Sequence, residues 1–274
     1  MMINKKLMTG ITCAIALLHQ APCSADGMLA TASIGDRWST PGDIYIALSA
    51  GSSYSTKASI SASPTFWDPT PEGYNGNVGQ SEVLGAGIGY VINPLLRFEV
   101  GADHRNSFEY SKYQSTPTST TWGPRYRYFD LSNTTVMGTL FVNGSGISEH
   151  AFYQGSGFMI DPFIGAGIGG AFNTVDNLHS VQTAPSARAF SMMPAANTTR
   201  TFAYQFSAGF DVKTSQKLAV GVSYRYLNAG TFQSNNYIVD NSNNIGTTDG
   251  VAVPAWSGSL STNEVFATLK YAMD

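Results

Sequence analysis

The chain has 274 residues, 43% hydrophobic and only 12% charged, with a formal net charge of -3. That acidic balance excludes a nucleic-acid binder, which needs a basic face for the phosphates. Its apolar residues are nowhere gathered into the roughly 20 consecutive positions of a membrane helix, so they must be spread in alternation.

Lys5 and Lys6 precede a short apolar run, 7–18, and Cys23-Ser24-Ala25 offers the small residues that a signal peptidase reads. Residues 1–25 are therefore read as a cleaved export signal. Removing it takes out two of the 15 basic residues and none of the 18 acidic ones, moving the charge to -5 (13 against 18). Cys13 and Cys23 both fall inside this segment, so the mature chain lacks thiols, which excludes disulfides, thiol catalysis and thiolate metal sites. Gln20-Ala21-Pro22 before Cys23 lacks the aliphatic residue of a lipobox. Residues 26–42 are expected to form a periplasmic lead and 43–274 a single membrane domain.

Period-two alternation marks the strands in chain order. Ile44, Ile46, Leu48 and Ala50 alternate with Tyr45, Ala47, Ser49 and Gly51. Leu84, Ala86, Ile88, Tyr90 and Ile92 interleave with Val83, Gly85, Gly87 and Gly89, ending in the Asn93-Pro94 turn. A third segment sets Leu96, Phe98, Val100 and Ala102 against Arg97, Glu99, Gly101 and Asp103. The fourth, about 132–142, is less regular. A fifth opposes Ile164, Ala166, Ile168, Gly170 and Phe172 to Phe163, Gly165, Gly167, Gly169 and Ala171. The sixth opposes Phe202, Tyr204, Phe206, Ala208, Phe210 and Val212 to Ala203, Gln205, Ser207, Gly209 and Asp211. The seventh sets Leu218, Val220, Val222, Tyr224 and Tyr226 against Ala219, Gly221, Ser223 and Arg225, and the last carries Val265, Ala267, Leu269, Tyr271 and Met273 on one face.

The connections alternate in length. Long Ser/Thr/Asn/Pro/Gly-rich stretches occupy about 56–80, 111–130, 176–200 and 233–261, while Asn93-Pro94 and 213–216 are short. Residues 143–159 are too long for a plain turn and leave room for an extra hairpin, so eight strands and ten both remain open. Only helices and closed barrels satisfy their backbone in lipid. The expected fold is thus an all-β, transmembrane, antiparallel up-and-down β-barrel of about eight strands with short periplasmic turns and long outer loops.

Gly85-Ala86-Gly87-Ile88-Gly89-Tyr90 and Asp161-Pro162-Phe163-Ile164-Gly165-Ala166-Gly167-Ile168-Gly169-Gly170 resemble the second and fifth strands of the bacterial outer-membrane β-barrel family that includes the OmpA transmembrane domain, OmpX, Opa and OmpW-like proteins. The resemblance spans about 43–274. It implies outer-membrane location, contact with outer-membrane lipid and lipopolysaccharide, delivery by periplasmic chaperones, and insertion by the barrel-assembly machinery. Members usually end on an aromatic residue that this machinery reads. Here the chain ends Tyr271-Ala272-Met273-Asp274, so Val265, Leu269 and Tyr271 are the expected assembly signal.

Little in the sequence carries chemistry. Gly165, Gly167 and Gly170 match G-x-G-x-x-G, but that fingerprint needs a following helix, and 171–175 read as continued strand. Alternate glycines instead leave room inside a narrow barrel. Arg97, Glu99, Asp103, Gln205, Asp211 and Arg225, together with Glu264 and Lys270, are expected to face the lumen, because a charge facing lipid costs about 2–4 kcal/mol at the midplane. There they would pair into a polar network that plugs the barrel. His104, His150 and His179 lie in separate segments, and His104 with Ser107 and Glu109 matches no hydrolase signature, so neither catalysis, cofactor nor metal is expected. Tyr90, Tyr110, Tyr126, Tyr128, Phe129, Tyr224 and Tyr226 are expected in the interfacial girdles, with 126–129 alternatively a loop patch. These features point to a non-enzymatic barrel presenting long loops to a host or cell-surface ligand or serving envelope structure. The competing reading is a small porin or OmpW-like transporter of small or apolar solutes.

Overall fold

The computed structural model describes residues 38, 40–56, 58–60, 76–114, 125–148, 153–155, 157–182, 195–214, 217–239, 251–253 and 255–273, all inside one compact unit, Ile34–Asp274. The export signal expected at 1–25 and most of the expected lead lie outside the described residues.

Eleven strands occur among them: β1 (Ile44–Ser55), β2 (Gln80–Val91), β3 (Leu96–Gln114), β4 (Arg125–Asn143), β5 (Tyr153–Gly155), β6 (Phe158–Gln182), β7 (Asn197–Lys213), β8 (Leu218–Gln233), β9 (Tyr237–Val239), β10 (Val251–Val253) and β11 (Ser257–Ala272). Eight form the wall. They pair antiparallel in the order β1, β2, β3, β4, β6, β7, β8, β11, and β11 pairs back onto β1, so the sheet closes on itself. A 3-10 turn, Gly144–Gly146, and the short strand β5 fill the stretch where an extra hairpin was open; β5 pairs only with the start of β6 and never joins the ring. The wall therefore has eight strands, and β9 with β10 forms a separate two-stranded hairpin.

The register fixes the barrel's shape. From Tyr45 the paired residues run through Gly89, Glu99, Thr139, Gly167, Gln205, Leu227 and Thr262 and return to β1 at Ser55, a stagger of ten (55 minus 45). Eight strands about 4.8 Å apart, with a rise of about 3.3 Å per residue and that stagger, tilt by about 41° and enclose a backbone radius of about 8 Å. Such an interior holds side chains and little else.

Every alternating face proposed from the sequence is the face observed. Ile46, Leu48, Leu84, Ile88, Val100, Val136, Leu140, Ile164, Ile168, Phe202, Phe206, Val222, Val265 and Leu269 point away from the lumen, with Leu84 67% and Ile168 65% exposed. These residues encircle the wall on all eight strands. An apolar belt closed on itself is far larger than the patch a water-soluble monomer exposes, and it matches the lipid-facing band of a membrane barrel.

The wall strands outrun the alternation that revealed them. β3 continues to Gln114 and β4 begins at Arg125, so the supposed loop at 111–130 is strand at both ends. β6 likewise extends to Gln182 and β7 starts at Asn197, inside the supposed loop at 176–200. Beyond the lipid the outer face has no reason to be apolar, so the period-two signal vanishes while the hydrogen-bonded ladder goes on. A bulge between Arg105 and Phe108 also reverses the parity of β3. Phe108 and Tyr110 consequently turn inward and are 0% and 1% exposed; Phe129 on β4 is 2% exposed. Tyr110 and Phe129 are thus lumen residues and not girdle aromatics, whereas Tyr90 and Tyr224 do face outward, 47% and 51% exposed.

Candidate functional site

The lumen is filled in layers. At the end carrying the short turns, Trp38 is 5% exposed and packs on Tyr45 with ring centroids 6.0 Å apart, beside Val91, Ala219 and Ala272. Gly89 makes room for this, since any Cβ there would run into the Tyr45 ring.

Next comes a first ionic layer. Asp211 accepts hydrogen bonds from Arg97 Nη1 at 2.6 Å and from Lys270 Nζ at 2.7 Å. The Arg97 guanidinium lies between the rings of Phe141 and Phe163, 4.6 and 4.7 Å from their centroids. Tyr45 donates its hydroxyl to Glu99 at 3.0 Å. Asp161 accepts from Lys213 Nζ at 2.6 Å and from the hydroxyl and amide of Ser145, which ties the 3-10 turn to the wall.

A second ionic layer is centred on Glu264, itself 0% exposed. Arg105 meets it with two parallel bonds, Nε at 2.6 Å and Nη2 at 3.0 Å. Arg225 Nε donates at 2.7 Å, and the hydroxyls of Ser53 and Thr262 donate at 2.7 and 2.9 Å. Arg225 Nη1 also reaches Asp103 at 2.7 Å, and Arg105 Nη1 reaches Asn133 at 2.7 Å. Between the two layers is a cavity of about 70 Å³, lined by Glu99, Asp103, Thr139, Gln205, Arg225 and Lys270 among others. Gln205 Nε2 donates to Thr139 across it.

Above the second layer the lumen turns apolar. Phe108, Phe129, Leu131, Leu227, Phe232, Trp256 and Leu260 form one buried cluster, with Tyr110 stacked on Phe129 at 4.4 Å. The wall behind this cluster is irregular between β7 and β8, where backbone pairing stops at Tyr204–Asn228. Side chains take over there: Asn173 Nδ2 donates to the carbonyls of Ala229 and Thr231, and Asn197 Nδ2 to that of Gln233, each at 2.8 Å. Gly230, with a φ of 70°, sits on β8 where its pairing with β11 shifts register between Ser261–Asn228 and Ser259–Thr231, a bulge.

Arg97, Glu99, Asp103, Gln205, Asp211 and Arg225 lie on the inward faces of their strands. Four acids (Asp103, Asp161, Asp211, Glu264) pair with the five bases Arg97, Arg105, Lys213, Arg225 and Lys270, and Glu99, bonded to Tyr45, brings the acids to five, so these layers are electrically balanced. Arg105, Asn133 and Asn173 went unnoticed in the sequence. Continuing the parity of Arg97, Glu99, Gly101 and Asp103 by one step finds Arg105, and Asn173 continues the inward series from Phe163. His104 stands outside, its Nδ1 hydrogen-bonded with the Thr134 hydroxyl at 2.8 Å, and His179 stacks on Tyr128 at 4.9 Å; His150 lies outside the described residues. Val265, Leu269 and Tyr271 face outward on the strand that closes the ring.

The closed eight-stranded ring, its apolar exterior and its polar lumen define a transmembrane β-barrel of the outer-membrane type. Among solved structures, the chain is similar to Neisserial surface protein A (16% identity, covering 83% of this chain and 96% of that one, TM-score 0.40). It is also similar to the outer membrane protein OprG from Pseudomonas aeruginosa (11%, 85% and 96%, TM-score 0.46) and to the outer membrane protease OmpT from Escherichia coli (12%, 88% and 100%, TM-score 0.31). No protein-family model and no curated protein matches the chain.

Proposed function

We propose that the protein is a non-enzymatic scaffold of the bacterial outer membrane, exported by residues 1–25 and inserted by an assembly machinery that reads Val265, Leu269 and Tyr271. Lipopolysaccharide and phospholipid surround its belt, and its function resides on the face it presents outside the cell. The observation that carries this reading is the pair of ionic layers that cross the lumen: Arg97, Asp211 and Lys270 are 2–3% exposed and Arg105 and Glu264 are 0% exposed. A barrel crossed twice in this way is suited to display and not to flow. Single-cysteine labelling tests the display. In a background lacking Cys13 and Cys23, a membrane-impermeant maleimide should label Tyr113→Cys on intact cells and spare Tyr153→Cys, which is the more exposed of the two but lies at the opposite end. The reverse pattern, or labelling of neither, contradicts it.

A second reading is favoured by one observation, the side-chain-bridged seam between β7 and β8 with an apolar cluster directly behind it. Such a seam suits passage of a small apolar solute between the outer chamber and the outer leaflet. Uptake of a radiolabelled apolar solute that rises with the protein and changes on Asn173→Ala supports this reading; uptake indifferent to the protein supports the first.

A further inference from the structure

The extensions of β3, β4 and β6 carry an aromatic ladder that lipid cannot explain. On the face turned away from the lumen, Tyr113 packs on Tyr126 at 5.0 Å, Tyr126 on Tyr128 at 6.0 Å, and Tyr128 on His179 at 4.9 Å. Tyr113 and Tyr126 are 47% and 39% exposed. The outermost aromatic of the belt on this side, Phe172, pairs with Thr134, and Tyr128 lies six residues further along β4. With the barrel's tilt, that step carries Tyr128 about 15 Å outward. The headgroup layer of a bilayer is only about 5–8 Å deep on each side, so the ladder stands clear of it.

Directly below the ladder, one on each of the three strands, Glu109 pairs in register with Asp130, and Asp130 with Asp176. All three sit on the outer face. Carboxylates opposite one another repel. Among the described residues Asp130 receives one side-chain hydrogen bond, from the Asn177 amide at 3.0 Å, and no cation pairs with any of the three. Every base of the lumen layers is, by contrast, matched to an acid.

We propose that this face docks an arginine-bearing segment of a partner protein, the guanidinium groups stacking on the ladder's rings while the carboxylate row neutralises their charge. This rests on the surface-presentation reading and names its partner's chemistry. Arginine fits better than lysine because its planar, weakly hydrated head stacks on aromatic faces and meets carboxylates with two parallel bonds. Charge complementarity excludes a polyanion. A second copy of this chain is disfavoured as well, since a twofold contact here would set one carboxylate row against another.

The test uses the full-length protein in phosphatidylcholine nanodiscs and the fluorescence anisotropy of dye-labelled hexa-arginine. The expected result is saturable binding that weakens about tenfold in Tyr126→Ala/Tyr128→Ala, the loss of two exposed cation–π contacts. It should persist in Tyr126→Phe/Tyr128→Phe, weaken in Asp130→Asn/Asp176→Asn, and be unchanged in Glu82→Gln, an exposed carboxylate elsewhere on the wall. If Tyr126→Ala/Tyr128→Ala does not assemble, Asp130→Asn/Asp176→Asn decides alone. Absence of saturable binding, equal binding by all variants, or displacement of the probe by neutral maltohexaose overturns the proposal. None of these touches the cysteine-labelling result, so the surface reading can stand while the arginine proposal falls.

Discussion

Glu264 holds the second ionic layer together, and its replacement by glutamine measures what that layer is worth. Arg105, 0% exposed, makes two bonds to Glu264 and, in Glu264→Gln, keeps Asn133, Thr135 and one bond to the amide oxygen while losing the charge partner and the second bond. Arg225 fares better because Asp103 still pairs with it. Removing one partner of a buried ion pair costs about 3–5 kcal/mol, and the surviving bonds of Arg105 put Glu264→Gln near the lower end. With an m-value of about 2 kcal/mol/M, the urea midpoint in phospholipid vesicles should fall by about 1.5 M. Adding Arg105→Met removes the stranded charge and should restore most of the loss, since an apolar replacement of a buried pair is often neutral. Tryptophan fluorescence follows both transitions. A single variant within about 0.3 M of the parent, or a double variant less stable than the single one, would refute the assignment of a cooperative ionic layer.

Val222 is 42% exposed on the lipid face while its neighbour Ser223 lines the lumen cavity. Val222→Arg should therefore cost about 2–4 kcal/mol and reduce the heat-modifiable folded band on unboiled SDS gels, whereas Ser223→Ala should assemble normally; equal assembly of Val222→Arg and the parent would place the register one residue off. Gly89→Ala should destabilise by about 1–3 kcal/mol through collision with Tyr45, and Gly89→Ala/Tyr45→Leu should recover that loss in the same urea titration. Recovery failing in the double variant would separate Gly89 from the Tyr45 ring.

What the sequence disclosed was the part of the barrel that lipid constrains. Inside the belt, each strand must alternate, so Val222 and Ser223, or Phe206 and Gln205, declare their faces without a structure. The lumen charges were legible by the same rule, because Arg97, Glu99, Asp103, Asp211 and Arg225 have no tolerable place facing hydrocarbon. Their pairing was not, since Arg97 meets Asp211 across 114 positions and Arg105 meets Glu264 across 159. Outside the belt the lipid constraint lapses. The bulge at Arg105–Phe108 and the long ladders of β3, β4 and β6 follow from local hydrogen bonding that leaves no period in composition, which is why Tyr110 and Phe129 looked like girdle residues and proved to fill the lumen.

Single-channel recording of the purified protein in planar bilayers tests the closed lumen most directly. Two charge-balanced ionic layers crossing the lumen predict a quiet trace with no regular steps at moderate voltage, both for the parent and for a variant such as Ser223→Ala that leaves the layers intact. Regular ohmic steps in the parent, changing in size or ion selectivity on Arg225→Ala, would contradict the account and make the lumen, not the outer face, the seat of function.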